Sequence, residues 1–300
     1  MRIFVAGASG FVGRSVVRAC SGAGHDVLGL VRSQDRFAAV RADGGTPVLG
    51  DLLDPNGLRP LVRDSDAVIH LAQASDGTLA ERRRVRVQGG RNLLAAAEAA
   101  CVGRCVIGSG YWVYRDNAGR VTETSPLAPM SISKVNFETE RLVGSRRFRD
   151  RMEFVILRPG MIYGPGSWFA EMVAGLRSGT YAYVGDGSNY LSPVHEEDAG
   201  EAFRVAVEAA KPGEEYLVVD DAPVTTRRFC DFVAARLGVP PARGIGFGQA
   251  CREWGREIAM LNRASRRASN RKLKTLGWTP RYRSFRDGVP RVLRAMTRGA

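Results

Sequence analysis

The sequence predicts an α/β fold, a doubly wound parallel sheet with a smaller C-terminal lobe. Through the first 160 residues, short apolar segments alternate with segments of helical periodicity. A glycine-rich turn joins the first apolar segment to the first helical one, and the alternation loosens after Arg158. Strands that alternate with helices form right-handed crossovers and hence a parallel sheet. We therefore predict a sheet domain over residues 1–160, with some sheet elements from later segments, and an interleaved substrate-binding lobe over residues 161–300.

The predicted strands are short and apolar nearly throughout, which is typical of strands covered on both faces. They lie at Ile3–Ala6, Val27–Val31, Pro47–Leu49, Ala67–Leu71, Cys105–Ile107 and Phe154–Leu157. The helical patterns between them cover Val12–Ala23, Asp35–Ala42, Pro55–Arg63, Leu79–Ala100 and Ser131–Ser145.

The second half shows fewer regular elements. A turn at residues 163–166 precedes a predicted helix at Trp168–Arg177, and irregular chain follows to Pro193. Further predicted elements are a helix at Glu197–Ala210, a strand at Tyr216–Val219 and a helix from Thr225 through Leu237.

Composition indicates a globular protein of the cytoplasm. The chain has 300 residues, 44% of them hydrophobic and 25% charged, which suffices for a buried core. No apolar stretch approaches the roughly 18 residues of a membrane helix, and the first apolar segment lacks the cleavage region of a signal peptide. Five scattered cysteines fit thiols in a reducing compartment. Because Cys101 and Cys105 have no second ligand pair, we expect no metal site.

The net charge of +13 resides at the C-terminal end. Residues 251–300 hold 14 Lys and Arg against three Asp and Glu. A basic tail can bind nucleic acid, but no nucleic-acid motif accompanies this one. We therefore interpret the charge as a solvated surface and expect a small-molecule partner rather than nucleic acid.

Three glycines indicate a dinucleotide site. Gly7, Gly10 and Gly13 follow a predicted strand and open a predicted helix. Glycine allows a tight turn and a close approach of backbone N–H groups to a pyrophosphate, and the helix N-terminus adds free donors. The same turn supplies three further contact residues, Ser9, Phe11 and Val12.

The end of the second strand favours NADP(H) over NAD(H). An acid commonly stands here to bind the ribose 2′-hydroxyl, but this chain has Arg32 followed by Ser33. A guanidinium cannot accept a hydrogen bond from a hydroxyl and pairs well with a phosphate. Arg36, one helical turn later, is a candidate for a second contact.

The ordered motifs of the chain resemble those of the extended short-chain dehydrogenases/reductases, also called the NAD-dependent epimerase/dehydratase family. The motifs are the glycine turn, Gly50-Asp51-Leu52, His70-Leu71-Ala72, residues 157–166, residues 194–199, and the closing segments at residues 269–272 and 276–280. The resemblance spans nearly the whole chain and implies a Rossmann-type sheet.

The resemblance implies further contacts and a possible homodimer. It implies that Asp51 and Leu52 flank the adenine, that Leu71, Ala72 and Gln73 line the cofactor, and that Pro159 and Gly160 lie near the nicotinamide. Family members often pair through the helices that correspond here to Leu79–Ala100 and Ser131–Ser145.

The catalytic centre departs from the family pattern. The family lysine is present as Lys134, but Met130 stands at the tyrosine position four residues earlier. Gly110 stands at the Ser/Thr position, and Arg86 replaces an asparagine. Tyr and Ser/Thr normally donate to the oxygen of a carbonyl during its reduction. Lys134 therefore keeps a role on the nicotinamide ribose but loses its tyrosine.

Three hypotheses follow from these losses. First, another group donates the proton; Tyr111 is the first candidate, and Ser109, Tyr163 and His195 are others. Second, the substrate needs no strong acid, as for an activated C=C bond, an imine or an iminium ion. Third, the protein binds NADP without redox turnover, as an isomerase or cyclase, a sensor or a scaffold.

We expect an atypical NADP-dependent oxidoreductase of specialised metabolism that acts on a small organic molecule. The predicted pocket wall is largely apolar or aromatic, which favours a hydrophobic substrate over a sugar nucleotide. Its candidate residues are Gln73, Ser75, Trp112, Met130, Met161, Tyr163, Trp168, Tyr190 and His195.

Overall fold

The computed structural model describes residues 1–74, 78–130, 132–143 and 151–298. The strands are β1 (Arg2–Ala6), β2 (Asp26–Val31), β3 (Thr46–Leu49), β4 (Ala67–His70), β5 (Arg104–Gly108), β6 (Asn117–Val121), β7 (Glu153–Pro159), β8 (Met161–Tyr163), β9 (Ala182–Val184), β10 (Tyr190–Leu191), β11 (Pro193–His195), β12 (Glu215–Val218), β13 (Val224–Thr225), β14 (Arg243–Ile245) and β15 (Arg266–Ala268). The helices are α1 (Phe11–Gly22), α2 (Phe37–Ala42), α3 (Pro55–Val62), α4 (Leu79–Arg83), α5 (Gly89–Ala99), α6 (Ile132–Val143), α7 (Ser167–Arg177), α8 (Glu196–Ala209), α9 (Thr226–Leu237), α10 (Phe247–Trp254), α11 (Arg256–Arg263), α12 (Arg271–Lys274) and α13 (Phe285–Arg298).

A sheet of seven parallel strands forms the centre of the described chain. Its order is β12-β7-β5-β4-β1-β2-β3, and every neighbouring pair is parallel. The order reverses at β1, where the chain leaves toward β2 on one side and later returns to β4 on the other. A ligand crevice is expected at such a switch point, beyond the carboxyl ends of the strands. The predicted α/β fold with a parallel Rossmann-type sheet is confirmed.

Alternate residues of each central strand pack on opposite faces of the sheet. Ile3 and Val5 of β1 join a core with α1 and α8. Phe4 and Ala6 join a second core with α3 and α5. Because both faces are covered, the central strands are apolar nearly throughout, as the sequence showed.

The second half of the chain builds a smaller lobe and also completes the sheet. Helices α7, α9 and α13 pack around an aromatic core that contains Phe169, Phe229 and Phe285. Strand β12 pairs with β7 at the edge of the main sheet. A short two-stranded pairing of β6 with β15 connects the lobe to the sheet domain, and β8 pairs with β11 within the second half.

Two sequence expectations need correction. The predicted continuous helix Leu79–Ala100 is interrupted by a π-helical turn at Arg84–Gln88. The chain that leads to Pro193 was expected to be irregular, yet it contains β9 and β10. The partners of these short strands, β14 and β13, lie far along the sequence, so local patterns give no signal for them. Of the predicted helix Ser131–Ser145, residues 131, 144 and 145 lie outside the described residues.

Among the described residues, no helix combines the length and the apolar character that a membrane span requires.

Candidate active site

The first glycine turn leaves room only for backbone. Gly7 has φ +94°, and a Cβ there would lie 2.8 Å from the Ala72 nitrogen. A Cβ at Gly13 would overlap the Gly7 carbonyl oxygen, which accepts from the Gly10 N–H at 3.0 Å. A side chain at either position would therefore collide with neighbouring backbone and force the turn apart.

The N-terminus of α1 has free donors. Gly10 is its N-cap residue and has no side chain to bond the first N–H groups of the helix. Such uncapped N–H groups, together with the helix dipole, favour a phosphate. The predicted residues Ser9, Phe11 and Val12 are each half-buried along this turn. The turn therefore fits the diphosphate of a dinucleotide.

Further predicted cofactor residues follow the carboxyl ends of neighbouring strands. Leu71 and Ala72 follow β4 and are half-buried, and Gln73 is exposed. Pro159 ends β7, and a Cβ at the next residue, Gly160, would overlap the Ser192 carbonyl oxygen. The structure therefore brings these residues to the edge of the sheet that carries the glycine turn.

The third strand brings an aspartate to the same edge. Asp51 follows β3; it is exposed and accepts a hydrogen bond from the Leu53 N–H at 2.9 Å. Leu52 is buried, and its carbonyl accepts from Asn92 at 2.8 Å. Asp51 is thus accessible to an adenosine group, whereas Leu52 mainly fixes the loop against α5.

The end of β2 presents arginines to solvent. Arg32, Ser33 and Arg36 are exposed. Arg36 pairs with Asp35 at 3.2 Å, whereas Arg32 has no ion pair with any other described residue. A guanidinium that is exposed and unpaired at this position is available to a 2′-phosphate.

Arg86 occupies the region where the ends of β4 and β5 meet. It is 4% exposed and donates to the carbonyl oxygens of Gly108 and, at 3.4 Å, Ala72. Burial lowers its pKa to about 10. His70 lies beside it, with Nε2 2.9 Å from the Arg86 carbonyl oxygen; burial lowers the pKa of His70 to about 4.

The inward turn of Arg86 coincides with the π-helical segment. A π-turn adds one residue to a helix and is frequent at functional sites. Here the π-turn precedes a close contact between α5 and His70, since a Cβ at Gly90 would lie 2.9 Å from His70 Nε2.

Ser109 is engaged in a buried polar network. Its hydroxyl donates to Glu140, and Glu140 also accepts from Arg158 at 2.8 Å and 3.1 Å. Arg158 in turn donates to the Tyr114 hydroxyl at 2.6 Å. Ser109 therefore joins α6 to β7, and its proton is committed to Glu140.

Tyr111 is completely buried. It packs against Trp112 with ring centroids 4.6 Å apart, and its hydroxyl has no hydrogen-bond partner among the described residues. The Ser192 amide lies near the phenol oxygen but outside hydrogen-bond geometry. Burial raises the pKa of Tyr111, against the nearby positive charge of Arg266. As a proton donor, Tyr111 would have to move toward the cleft.

The family catalytic positions lie together at the start of α6. Met130 is half-buried, and its backbone is bonded to the Ser133 hydroxyl. Lys134 is exposed. A Cβ at Gly110 would lie 3.4 Å from Asn136 Nδ2 and 3.9 Å from Trp112 Cδ1, which is ordinary contact. This region therefore has room for a serine that the chain does not carry.

Two predicted pocket residues of the second half belong to the lobe core. Tyr163 is buried with Phe169 and Phe229 around it. His195 is 2% exposed; its Nδ1 accepts from the Glu197 N–H at 3.1 Å and so caps α8. Burial lowers the pKa of His195 to about 4. Neither side chain is presented to the cleft in this structure.

The remaining predicted wall residues are dispersed. Met161 packs with the cluster that contains Tyr111 and Trp112. Trp168 donates to the Ile162 carbonyl at 2.6 Å and packs in the lobe core. Tyr190 lies under the guanidinium of Arg267 at 5.3 Å. Ser75 lies outside the described residues.

Sequence reasoning missed two polar residues near the catalytic positions. Asn136 approaches Gly110, and Arg266 is fully buried above the Trp112 ring at 4.9 Å. Asn136 follows Lys134 by two residues, so the family lysine was an available signal. Arg266 comes from β15, and only its pairing with β6 brings it here.

Comparison with known proteins agrees with this geometry. The model of the NAD dependent epimerase/dehydratase family matches residues 3–219. A protein of Streptomyces sp, named 3-diazoavenalumate denitrifying reductase, is 31% identical over 97% of this chain and 100% of its own length. A Stigmatella aurantiaca protein, named 4-hydroxy-2-methyl-3-oxo-4-farnesyl-3,4-dihydroquinoline-1-oxide ketoreductase, is 30% identical over 80% of this chain and 74% of its own.

The fold is shared with a crystal structure that holds a dinucleotide. DesIV, the dTDP-glucose 4,6-dehydratase of Streptomyces venezuelae with NAD and TYD bound, has a TM-score of 0.84 and 26% sequence identity. The match covers 99% of this chain and 97% of that one. Relatives named as reductases, together with the family, support an oxidoreductase of the short-chain dehydrogenase/reductase type with a nicotinamide dinucleotide as cofactor. The resemblance inferred from the motifs is thereby confirmed, and the chain belongs to the NAD dependent epimerase/dehydratase family.

Proposed function

We propose that this chain is an NADP-dependent reductase of a small, largely apolar electrophile whose reduction needs no strong acid. One observation carries the proposal: the glycine turn is complete, yet Met130 and Gly110 provide no hydroxyl at the two positions where the family protonates a carbonyl oxygen. Cofactor binding is thus retained while carbonyl acid catalysis is not.

The chain's own residues divide the work of holding the cofactor. The backbone at Gly7 and Gly13 would bind the diphosphate, and Arg32 would pair with the 2′-phosphate. The exposed ammonium of Lys134 would donate to the hydroxyls of the nicotinamide ribose. When bound, the reduced dinucleotide would supply a hydride.

The candidate proton donors are engaged in other contacts or buried, which favours an electrophile whose reduction needs no proton donor. The Ser109 hydroxyl is committed to Glu140, His195 caps α8, and Tyr111 is fully buried. An iminium ion or an activated C=C bond accepts a hydride at carbon without simultaneous protonation of an oxygen. The relative named 3-diazoavenalumate denitrifying reductase supports an electrophile other than a carbonyl, because its name describes reduction of a diazo compound rather than of a ketone.

The surroundings of the cleft support an apolar substrate. Trp112 and Met161 pack in one apolar cluster, and Met130 is half-buried beside Ser133. Aromatic and thioether surfaces contribute contact area rather than specific hydrogen bonds, so they suit a flat organic molecule.

The test is consumption of NADPH with a matched set of substrates. We expect oxidation of the reduced nicotinamide with a cyclic aromatic iminium ion and with a nitroalkene, and much slower oxidation with an aryl ketone of similar size. Equal or faster reduction of the ketone would contradict the proposal. Product formation without NADPH consumption would instead favour an isomerase or cyclase.

Tyr111→Phe separates this proposal from one in which Tyr111 donates a proton. The variant removes a fully buried hydroxyl that has no hydrogen-bond partner in the part of the chain that the structure describes. We expect iminium reduction to stay within about twofold of the native rate, because a required acid would contribute about 10²–10⁴. A loss of that size, with NADP+ affinity unchanged, would identify Tyr111 as the donor.

A further inference from the structure

A small cavity lies directly beside the family catalytic positions. Its volume is about 80 Å³, and its lining residues are Gln73, Ala74, Arg82, Arg86, Trp112, Ser133, Val135 and Asn136. Two of these residues, Asn136 and Trp112, are the ones that a Cβ at Gly110 would contact. The cavity therefore shares two wall residues with the surroundings of Gly110.

The cavity is lined by a buried cation whose bonds leave one donor free. The Arg86 guanidinium uses Nη1 and Nη2 on the carbonyl oxygens of Ala72 and Gly108. Its Nε has no partner among the described residues. This Nε is itself buried, so Arg86 acts on the cavity through the charge of the guanidinium that lines it rather than through a hydrogen bond from Nε.

The charge of Arg86 is also not neutralised nearby. No described carboxylate forms an ion pair with Arg86. The nearest acid that acts on it is Glu140, and Glu140 is already paired with Arg158 at 2.8 Å and bonded to Ser109. His70, adjacent to Arg86, is held neutral by burial. A buried charge is normally paired, so this one favours an anion.

The other polar groups of the cavity are suited to the same ligand. Gln73 and Asn136 carry amide N–H₂ groups that can donate to an oxygen anion. A second arginine, Arg82, contributes to the lining. Trp112 contributes an aromatic side chain to the same lining. The volume is sufficient for one carboxylate but not for a phosphorylated sugar.

We propose that this cavity binds a carboxylate of the substrate, so that the protein reduces a small aromatic or conjugated carboxylic acid. The proposal deepens the function given above and rests on it, because it assigns the anchor for the same substrate. It also assigns a role to the replacement of the family asparagine by Arg86, which is to add a positive charge at this position.

The experiment compares two probes of nearly equal shape, cinnamate and cinnamamide. NADP+ is first titrated by calorimetry, and each probe is then titrated into the protein saturated with NADP+ in a buffer of low chloride. We expect cinnamate to bind about tenfold or more tightly than cinnamamide, since charge-assisted hydrogen bonds discriminate by at least this factor. Failure of NADP+ to bind would contradict the proposed function, whereas equal affinity for the two probes would contradict only the carboxylate site.

Variants of Arg86 test whether this residue causes the preference for cinnamate over cinnamamide. Arg86→Gln keeps amide donors for the backbone carbonyls but removes the charge, and Arg86→Lys keeps the charge. The matched control is Arg84→Gln, in the same π-helical turn but exposed. We expect the preference to fall below about threefold in Arg86→Gln, to persist in part in Arg86→Lys, and to be native in the control.

Several outcomes would overturn the carboxylate site. These are no preference in the native protein, no binding of either probe, a preference that survives Arg86→Gln, or one that is lost equally in Arg84→Gln. If Arg86→Gln does not fold, as judged by circular dichroism, the comparison of cinnamate with cinnamamide on the native protein still decides.

Discussion

In the proposed function, two single residues, Met130 and Gly110, set the chemistry of the cleft. Neither carries a hydroxyl, yet the backbone around them is arranged as if for one: Gly110 has room for a Cβ at ordinary contact distances, and Lys134 follows Met130 at the family spacing. In the proposed function, acid catalysis is therefore absent because two side chains are missing and not because the fold has changed.

Placing hydroxyl groups at both positions tests whether their absence limits ketone reduction. For the double variant Gly110→Ser with Met130→Tyr, we expect kcat/KM for the ketone 1-phenylpropane-1,2-dione to rise about tenfold or more. A positioned acid contributes about 10²–10⁴ in favourable cases. The measurement is NADPH oxidation under steady-state conditions.

The control for this variant supplies the same bulk without hydroxyls, as Gly110→Ala with Met130→Phe. An equal gain in that control would show that shape, and not proton donation, limits ketone reduction.

At the scale of secondary structure elements, the glycine turn and α1 form the most predictable part of the site. The signal is local, because Gly7, Gly10 and Gly13 lie in one short segment between a strand and a helix. The steric reason is equally local, since a Cβ at Gly13 would overlap the Gly7 carbonyl.

A glycine pair within α1 gives a matched experiment. We expect Gly13→Ala to weaken NADP+ binding at least tenfold, because its Cβ forces the turn apart. Gly22→Ala, at the other end of the same helix, meets nothing within 4 Å and should leave binding within about twofold. Calorimetric titration of NADP+ measures both, and unchanged affinity in Gly13→Ala would remove the glycine turn from the site.

Other elements could not be predicted, because their causes are not local. The helix Leu79–Ala100 was expected to be continuous, but it contains a π-turn from which Arg86 reaches the carbonyl groups of Ala72, after β4, and of Gly108, at the end of β5. Arg266 reaches the site only because β15 pairs with β6, almost 150 positions earlier in the chain. Ser109 and His195 were candidate proton donors by their sequence position. In the structure, however, Ser109 donates to Glu140 and His195 accepts from the Glu197 N–H.

One buried network did leave a trace in the sequence. Arg158 follows the apolar segment Phe154–Leu157 directly, and a charged residue at the end of a covered strand requires a buried partner. The structure supplies Glu140 from α6. The pattern could have indicated that an acid was needed, but not which one.

At the scale of the whole molecule, buried titratable groups link stability to pH. Burial raises the pKa of Asp220 to about 8, with Asp221 contributing in the same direction. In the folded chain Asp220 therefore stays protonated well above the pH at which it ionises in the unfolded chain. The folded state binds the extra proton, so this residue makes stability fall as pH rises from about 4 to about 8.

Asp220→Asn removes this dependence. A tenfold change in proton affinity corresponds to roughly 1.4 kcal/mol, so we expect the variant to be more stable than the native protein by at least about 2 kcal/mol at pH 8.5. The two should have equal free energies of unfolding near pH 4. Urea unfolding across this range measures the difference, and a difference that is constant with pH would contradict a raised pKa.

The distribution of function over the molecule follows from its topology. The glycine turn, which is the proposed dinucleotide site, lies in the sheet domain at the switch point beside β1. The cavity at Arg86 lies where β4 and β5 end. Another cavity, of about 700 Å³, borders Gly103, Glu153 and Glu214 near the amino ends of β5, β7 and β12. Its position separates it from the glycine turn.

Arg32 at the end of β2 is the reason to expect a preference for NADP over NAD, and calorimetric titration of both dinucleotides tests it. We expect the native protein to bind NADP+ about tenfold or more tightly than NAD+. Arg32→Ala should remove most of that difference without weakening NAD+, and the exposed control Arg59→Ala should retain it. Equal affinity of the native protein for the two dinucleotides, or binding of neither, would contradict it.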